Sequence, residues 1–334
     1  VSDRQWGTVR EDYSANGDAW RYTTHDIARS KAWRWGEEGI AGICDEKQLL
    51  CFSLALWNKK DPILKERYFG LTNDEGNHGE DVKELYYYLD ATPTHSYMKM
   101  LYKYPQQEYP YQWLLDENKK RGRQDEEFEL IDTGVFGQNE YFDVFAEYAK
   151  ADADDILIKI SVCNRSNKPA SLLVLPTLWF RNTWVWGRHP YKPLLLRENE
   201  NAIAVHHESL SIQHLYFESG EALFCDNETN NQRLYNTANI TPYPKDGIND
   251  HIIHEVQSIN PEKKGTKAAV CTEIIVEGNG CKVLRLRLSN KTSDKPFDNF
   301  DDIFQQRIAE ADIFYNEIQK NIQAPEEKLI QRQA

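Results

Sequence analysis

The sequence predicts an all-β protein: one large antiparallel β-sandwich followed by a C-terminal helix. Three observations carry this. From Tyr141 onward, short runs rich in Val, Ile, Leu and aromatic residues recur between Asp, Asn, Gly and Pro turns. Aromatic content is high, with 9 Trp, 18 Tyr and 13 Phe against 2 Met, which suits either a sandwich core or flat platforms for sugar rings, and composition alone does not choose between them. Sustained three- and four-residue apolar spacing over a long stretch occurs near the C-terminal end, over residues 298–323.

The elements follow in order. Residues 49–57 form a continuous apolar run, the pattern of a buried strand. Residues 85–89 read as a strand, and 109–128 as a short helix followed by a charged, solvated loop. After Tyr141, Val144, Ala146 and Tyr148 alternate with Asp143, Phe145 and Glu147, a period of two. Asp154 and Asp155 break that run. Residues 156–162 give the next strand, 164–169 a turn, and 172–186 a long strand. Further strands are expected near 202–206, 211–217, 221–225, 252–258, 268–276 and 281–288. No linker rich in Pro, Gly or Ser divides this region, so a single sandwich spanning 1–296 fits better than two domains. Residues 297–334 then form a linker: one amphipathic helix with Asp298 or Asn299 at its cap. A second helix starts at Pro325, with Glu326 and Glu327 near its positive end. It carries no stop signal before Ala334, and the chain opens on Val1 without methionine, so it reads as a trimmed piece of a longer protein.

Composition narrows the function. The 334 residues carry a formal net charge of −13, which opposes phosphate-backbone binding and argues against a nucleic-acid partner. No run of 18 apolar residues points to a membrane. Cys44, Cys51, Cys163, Cys225, Cys271 and Cys281 are scattered without a C-x-x-C pair. They read as reduced, core-buried thiols of a cytoplasmic protein rather than metal ligands. Residues 73–77 miss the calcium-loop spacing, and no phosphate loop, nucleophile elbow or dinucleotide fingerprint occurs. No metal or cofactor is expected.

Three segments mix Arg, acids, amides, aromatics and glycine: 4–14, 65–84 and 178–187. Sugar sites use that mixture, because carboxylates and amides pair with hydroxyls while an aromatic face takes the ring. Glycosidases also need two carboxylates across the scissile bond. The acids available in the glycine-containing parts are Glu11, Asp12, Glu80, Asp81 and Glu84. The plainer reading is that such groups hold the loops of a sandwich together. Trp33 with Trp35, and Trp184 with Trp186, would each share a sheet face if their segments were strands, forming either core or a sugar platform.

The stretches RQWGTVREDYS, KDPILKERYFGLTNDEGNHGEDVKELYYYLDATPTHSYMK and LPTLWFRNTWVWG together resemble the N-terminal region of glycoside hydrolase family 63, in its bacterial glucosidase-like members and their mannosyl-oligosaccharide glucosidase relatives. The resemblance covers essentially the whole chain. It implies an N-terminal super-β-sandwich packed on an (α/α) toroid, and hydrolysis of α-glucosides or oligosaccharides with inversion and without a cofactor. It also implies that the catalytic pair lies in the toroid, so no residue here is expected to be catalytic. The sandwich would instead offer substrate-rim or domain-interface residues: Arg10, Glu11, Asp12, Tyr13, Arg67, Asn77, His78, Glu80 and Asp81. An independent carbohydrate-binding module is the alternative.

Overall fold

The computed structural model describes residues 16–17, 22–34, 39–70, 75, 82–122, 124–185, 187, 190–211 and 213–333. Two antiparallel sheets pack face to face, as the sequence predicts. The strands are β1 (Ile40–Cys44), β2 (Leu50–Trp57), β3 (Tyr86–Ala91), β4 (Tyr97–Pro105), β5 (Tyr141–Asp152), β6 (Asp155–Asn164) and β7 (Ala170–Phe180). They continue with β8 (Leu194–Asn199), β9 (Ala202–His206), β10 (Gln213–Phe217), β11 (Glu221–Cys225), β12 (Lys264–Gly265), β13 (Lys267–Val276) and β14 (Cys281–Ser289). The smaller sheet runs β1-β2-β7-β13-β11, and the larger β12-β8-β9-β10-β14-β6-β5-β4-β3.

Period-two patterning explains the core. Phe52, Leu54 and Leu56 of β2, Val174 and Leu178 of β7, and Val270 of β13 face Val144, Ala146, Ile158, Ile160 and Leu286 of the larger sheet. The outer face of β5 is buried too, but by ion pairing. Asp143 accepts from Lys103 at 2.6 Å and from Arg165 at 2.6 Å, while Glu147 pairs with Lys159 at 3.0 Å and accepts from the Tyr97 hydroxyl at 2.8 Å.

The outer face of the smaller sheet carries a second apolar layer. Ala55, Leu173, Leu175, Leu223 and Ala269 pack there under Leu64 and Ile248. Ile248 belongs to a helix, Gly247–His254, where the sequence reading placed a strand at 252–258. Ile248 and Ile252 lie four apart and both reach this layer, and a short apolar run cannot distinguish that spacing from a strand by periodicity alone. The long strand expected over 172–186 stops at Phe180. Beyond it, the Arg181 amide turns to the Leu49 carbonyl and Asn182 donates to the Asn227 carbonyl.

The cysteines require a correction. Cys163 and Cys281 form a disulfide, with Cα atoms 4.1 Å apart. They are register partners across β6 and β14, although 118 residues separate them in the chain. Spacing along the sequence carries no information about that pairing. Cys51 and Cys225 are buried, while Cys44 is exposed.

The C-terminal helix spans Phe300–Ile318 and a second spans Pro325–Gln333. Phe300, Phe304 and Ala311 bury against Tyr97, Ala149 and Leu157 on the outer face of the larger sheet. The Tyr315 hydroxyl donates to the Ala91 carbonyl at 2.5 Å. Asn299 sits at the cap position without a side-chain capping bond; its amide oxygen accepts from Arg287 instead. No helix among the described residues is long and apolar enough to cross a membrane.

Candidate functional site

Of the expected rim or interface residues, Arg67 is described. Arg10, Glu11, Asp12, Tyr13, Asn77, His78, Glu80 and Asp81 lie outside the described residues. Both flanks of the 71–81 segment are described, and they converge on a buried ionic and aromatic cluster.

The cluster begins where β2 ends. Asn58 turns the chain by accepting from the Lys60 and Asp61 amides at 2.9 Å each. The chain then doubles back, and Lys65 pairs through its backbone with Leu56. Successive side chains point to opposite sides of this returning strand-like segment. Leu64 and Glu66 turn toward the smaller sheet, and Lys65 turns away from it.

Lys65 is fully buried. Its ammonium lies 2.8 Å from Glu84 Oε1, whose side chain is equally inaccessible, and 3.4 Å above the Tyr109 ring centroid. Glu84 Oε1 also accepts from the Phe69 amide at 2.9 Å, and Oε2 from the Tyr102 hydroxyl at 2.8 Å. Burial pulls the Lys65 pKa below its ordinary value, against Glu84 and Asp61, which favour the charged form. Asp61 accepts from the Tyr109 amide at 2.7 Å and the Tyr104 hydroxyl at 2.5 Å. Burial nonetheless raises its pKa, outweighing Lys65 and those hydrogen bonds.

His25 closes the cluster at the start of a short helix, His25–Ser30. Its ring lies 5.5 Å from that of Phe69 and 5.3 Å from that of Tyr111, and its amide donates to Glu75 Oε1 at 2.8 Å. Burial first, then the charges of Lys65 and Arg67, hold its pKa well below the ordinary histidine value. The imidazole is therefore neutral at physiological pH.

Arg67 is 5% exposed. It lines a water-sized cavity, about 10 Å³, against the outer face of the smaller sheet, together with Ser53, Glu66, Thr177 and Lys267. Glu66 pairs with Lys267 at 3.0 Å. Burial alone would raise the Glu66 carboxyl, but the charges of Lys267 and Arg67 outweigh it and hold the pKa below the usual range.

This arrangement fixes a neck. The Lys83 amide donates to the Phe69 carbonyl at 2.7 Å, bringing the two flanks of 71–81 together. Lys83 then pairs with Glu127 and Glu129, and its carbonyl accepts from the Tyr109 hydroxyl. The carboxylate oxygens of Asp61 and Glu84 are already hydrogen-bonded, so these acids hold the two described flanks of 71–81 in place. Glu84 was among the acids singled out in the sequence. Lys65 lay in the segment 65–84 singled out there, while Asp61, Tyr102, Tyr104, Tyr109 and Tyr111 were not singled out. Their signal is charge inside an apolar run, Ile63-Leu64-Lys65-Glu66-Arg67-Tyr68-Phe69, which is uncommon unless the charge is paired.

The tryptophan pairs do not make sheet-face platforms. Neither Trp33 nor Trp184 lies in a strand. Trp33 is fully buried, and the Trp184 indole donates to Glu228 at 3.0 Å. Trp35 and Trp186 lie outside the described residues.

No family model matches the chain. The Saccharomyces cerevisiae protein YMR196W, itself described as uncharacterized, is 41% identical over 384 aligned positions. The alignment covers 100% of this chain and 35% of that protein, so the chain spans about a third of its relative's length. Among solved structures, a human-microbiome protein assigned as a kojibiose phosphorylase aligns over 58% of this chain and 21% of its own, at 11% identity and a TM-score of 0.26. A likeness that distant carries no argument about fold or function.

Proposed function

We propose that this chain is the non-catalytic N-terminal β-sandwich of an inverting α-glucosidase-type glycoside hydrolase related to family 63. In this reading residues 1–296 pack on a helical (α/α) catalytic domain, 297–334 lead into that domain, and the sandwich loops reach the rim of the sugar pocket. One observation carries it. In the long stretch that resembles the family, 60–99, the Lys65–Glu84 pair and the Phe69–Lys83 contact join the described flanks on either side of the acid- and glycine-rich segment 71–81. Two buried anchors on one neck give that segment a fixed origin, as a loop meeting a substrate or a neighbouring domain requires. The antiparallel sandwich and the chain's 35% share of its yeast relative support the same reading.

The test uses a protein extended to the relative's full length. Hydrolysis of p-nitrophenyl α-glucoside and short α-glucosides should occur, with β-glucose as the first product by NMR. Replacing Arg10, Asp12, His78 and Asp81 together by alanine should lower kcat/KM. Absence of α-glucoside hydrolysis, or a quadruple variant with unchanged kcat/KM and stability, would refute the reading.

A further inference from the structure

Two pairs of cysteines stand opposite each other across antiparallel strands. Cys163 faces Cys281 across β6 and β14, and Cys44 faces Cys51 across β1 and β2. Directly opposed residues of an antiparallel pair project their side chains to the same face of the sheet. Ladder hydrogen bonding places both pairs alike. The Asn164 amide donates to the Gly280 carbonyl at 2.9 Å, and the Asp45 amide to the Leu50 carbonyl at 3.4 Å. Each is the hydrogen-bonded step next to the cysteines. Both cysteine pairs therefore occupy a non-hydrogen-bonded step, where opposite Cα atoms approach to about 4.5 Å and side chains are closest. That separation lies within the ~4.4–6.8 Å that a disulfide usually spans. Cys163 and Cys281, with Cα atoms 4.1 Å apart at the same kind of step, are bridged.

The turn between β1 and β2 holds Cys44 and Cys51 at this step. Asp45 accepts from the Lys47 amide at 2.9 Å and the Leu50 amide at 2.7 Å through its side chain, and from the Gln48 amide at 2.9 Å through its carbonyl. The two cysteines differ in access. Cys44 is exposed, on the edge strand of the smaller sheet. Cys51 is fully buried, and its thiol donates to the Gln48 carbonyl at 3.8 Å. An accessible thiol opposite a buried one is the arrangement of an attacking and a resolving cysteine.

We propose that Cys44 and Cys51 are a reversible disulfide site, closed by exchange with a low-molecular-weight disulfide and fastening the edge strand β1 to β2. The Cys44 thiolate attacks one sulfur of the small disulfide, whose S–S bond breaks and releases one thiolate, leaving a mixed disulfide on Cys44. Cys51 then attacks Cys44 Sγ, expels the second thiolate and gives up its proton to it. The two cysteines lose two electrons and two protons in all, and the small disulfide takes both and ends as two thiols. Neither the sugar-hydrolysis reading nor the buried neck enters this assignment. It follows from strand register, ladder position and the unequal exposure of the pair.

The probe is glutathione. The folded protein is equilibrated with mixtures of its oxidised and reduced forms, and remaining thiols are trapped with N-ethylmaleimide. Trypsin then cuts after Lys47, between the two cysteines, and mass spectrometry maps the linked peptides. Oxidising mixtures should join the Cys44 and Cys51 peptides by a disulfide. As reduced glutathione rises, this link should open before Cys163–Cys281. Its reduction equilibrium constant should be larger by on the order of 50-fold, because it closes a far shorter loop. Cys44 and Cys51 lie seven positions apart, against 118 for the other pair. Cys51→Ser should leave Cys44 carrying a lasting glutathione adduct, whereas the parent should pass through that adduct without accumulating it. The proposal fails if no Cys44–Cys51 link forms at any ratio, if the parent stalls as the Cys44 adduct, or if the two links open together. These three results are read on the parent protein, so they decide the matter even where Cys51→Ser does not fold.

Discussion

Lys65→Met tests the buried neck most directly. The substitution keeps an unbranched side chain of similar length and removes the charge. In the parent, the ammonium and the Glu84 carboxylate are 2.8 Å apart with no solvent access, an attraction of about 6 kcal/mol at an effective dielectric of ~20. Desolvation offsets much of this, so the pair as a whole stabilises far less than that figure. Removing one partner is another matter, because the remaining carboxylate stays buried without its counter-ion, typically at ~3–5 kcal/mol. The expected loss is therefore about 3–5 kcal/mol at pH 7. Lys65→Met/Glu84→Gln removes both charges and keeps an acceptor for the Phe69 amide, so it should recover most of the loss. Urea unfolding followed by tryptophan fluorescence at pH 7 measures all three proteins. A loss below about 1 kcal/mol, or a double variant no more stable than Lys65→Met, would refute the reasoning.

Three further outcomes follow from the same structure. His25 is held neutral, while in the unfolded chain it takes a proton as pH falls below about 6.5, so stability should drop by up to about 1.4 kcal/mol per unit there; His25→Asn should flatten that limb. Burial raises the phenols of Tyr102, Tyr104, Tyr109 and Tyr111 well above their usual value, so above pH ~10 only the unfolded chain ionises them; each should cost up to about 1.4 kcal/mol per unit, read as a steep alkaline fall in urea midpoint. Cys281→Ser opens a bridge between residues 118 apart and should lower stability by ~2–5 kcal/mol. Reduction of the parent should reproduce that loss and shift its intact mass, whereas a reduced variant with the parent's unreduced melting temperature would exclude the bridge.

The sequence by itself determined the all-β class, the boundaries of β9 and β11, and the amphipathic C-terminal helix. Each depends on local pattern: period two flanked by turn residues, or apolar spacing of three and four. It located the segment 65–84 as chemically unusual, since Arg, acids and amides mix there with aromatics and glycine. Tertiary structure decided the rest. Whether 252–258 formed a strand or belonged to a helix turned on which layer Ile248 and Ile252 could reach. The ending of β7 at Phe180 turned on partners from 49 and 227. The Cys163–Cys281 disulfide and the Lys65–Glu84 pair both join groups distant in the chain. Local pattern records which face of an element is apolar; it does not record which distant residue will stand opposite, because that is fixed only when strand register and sheet packing close.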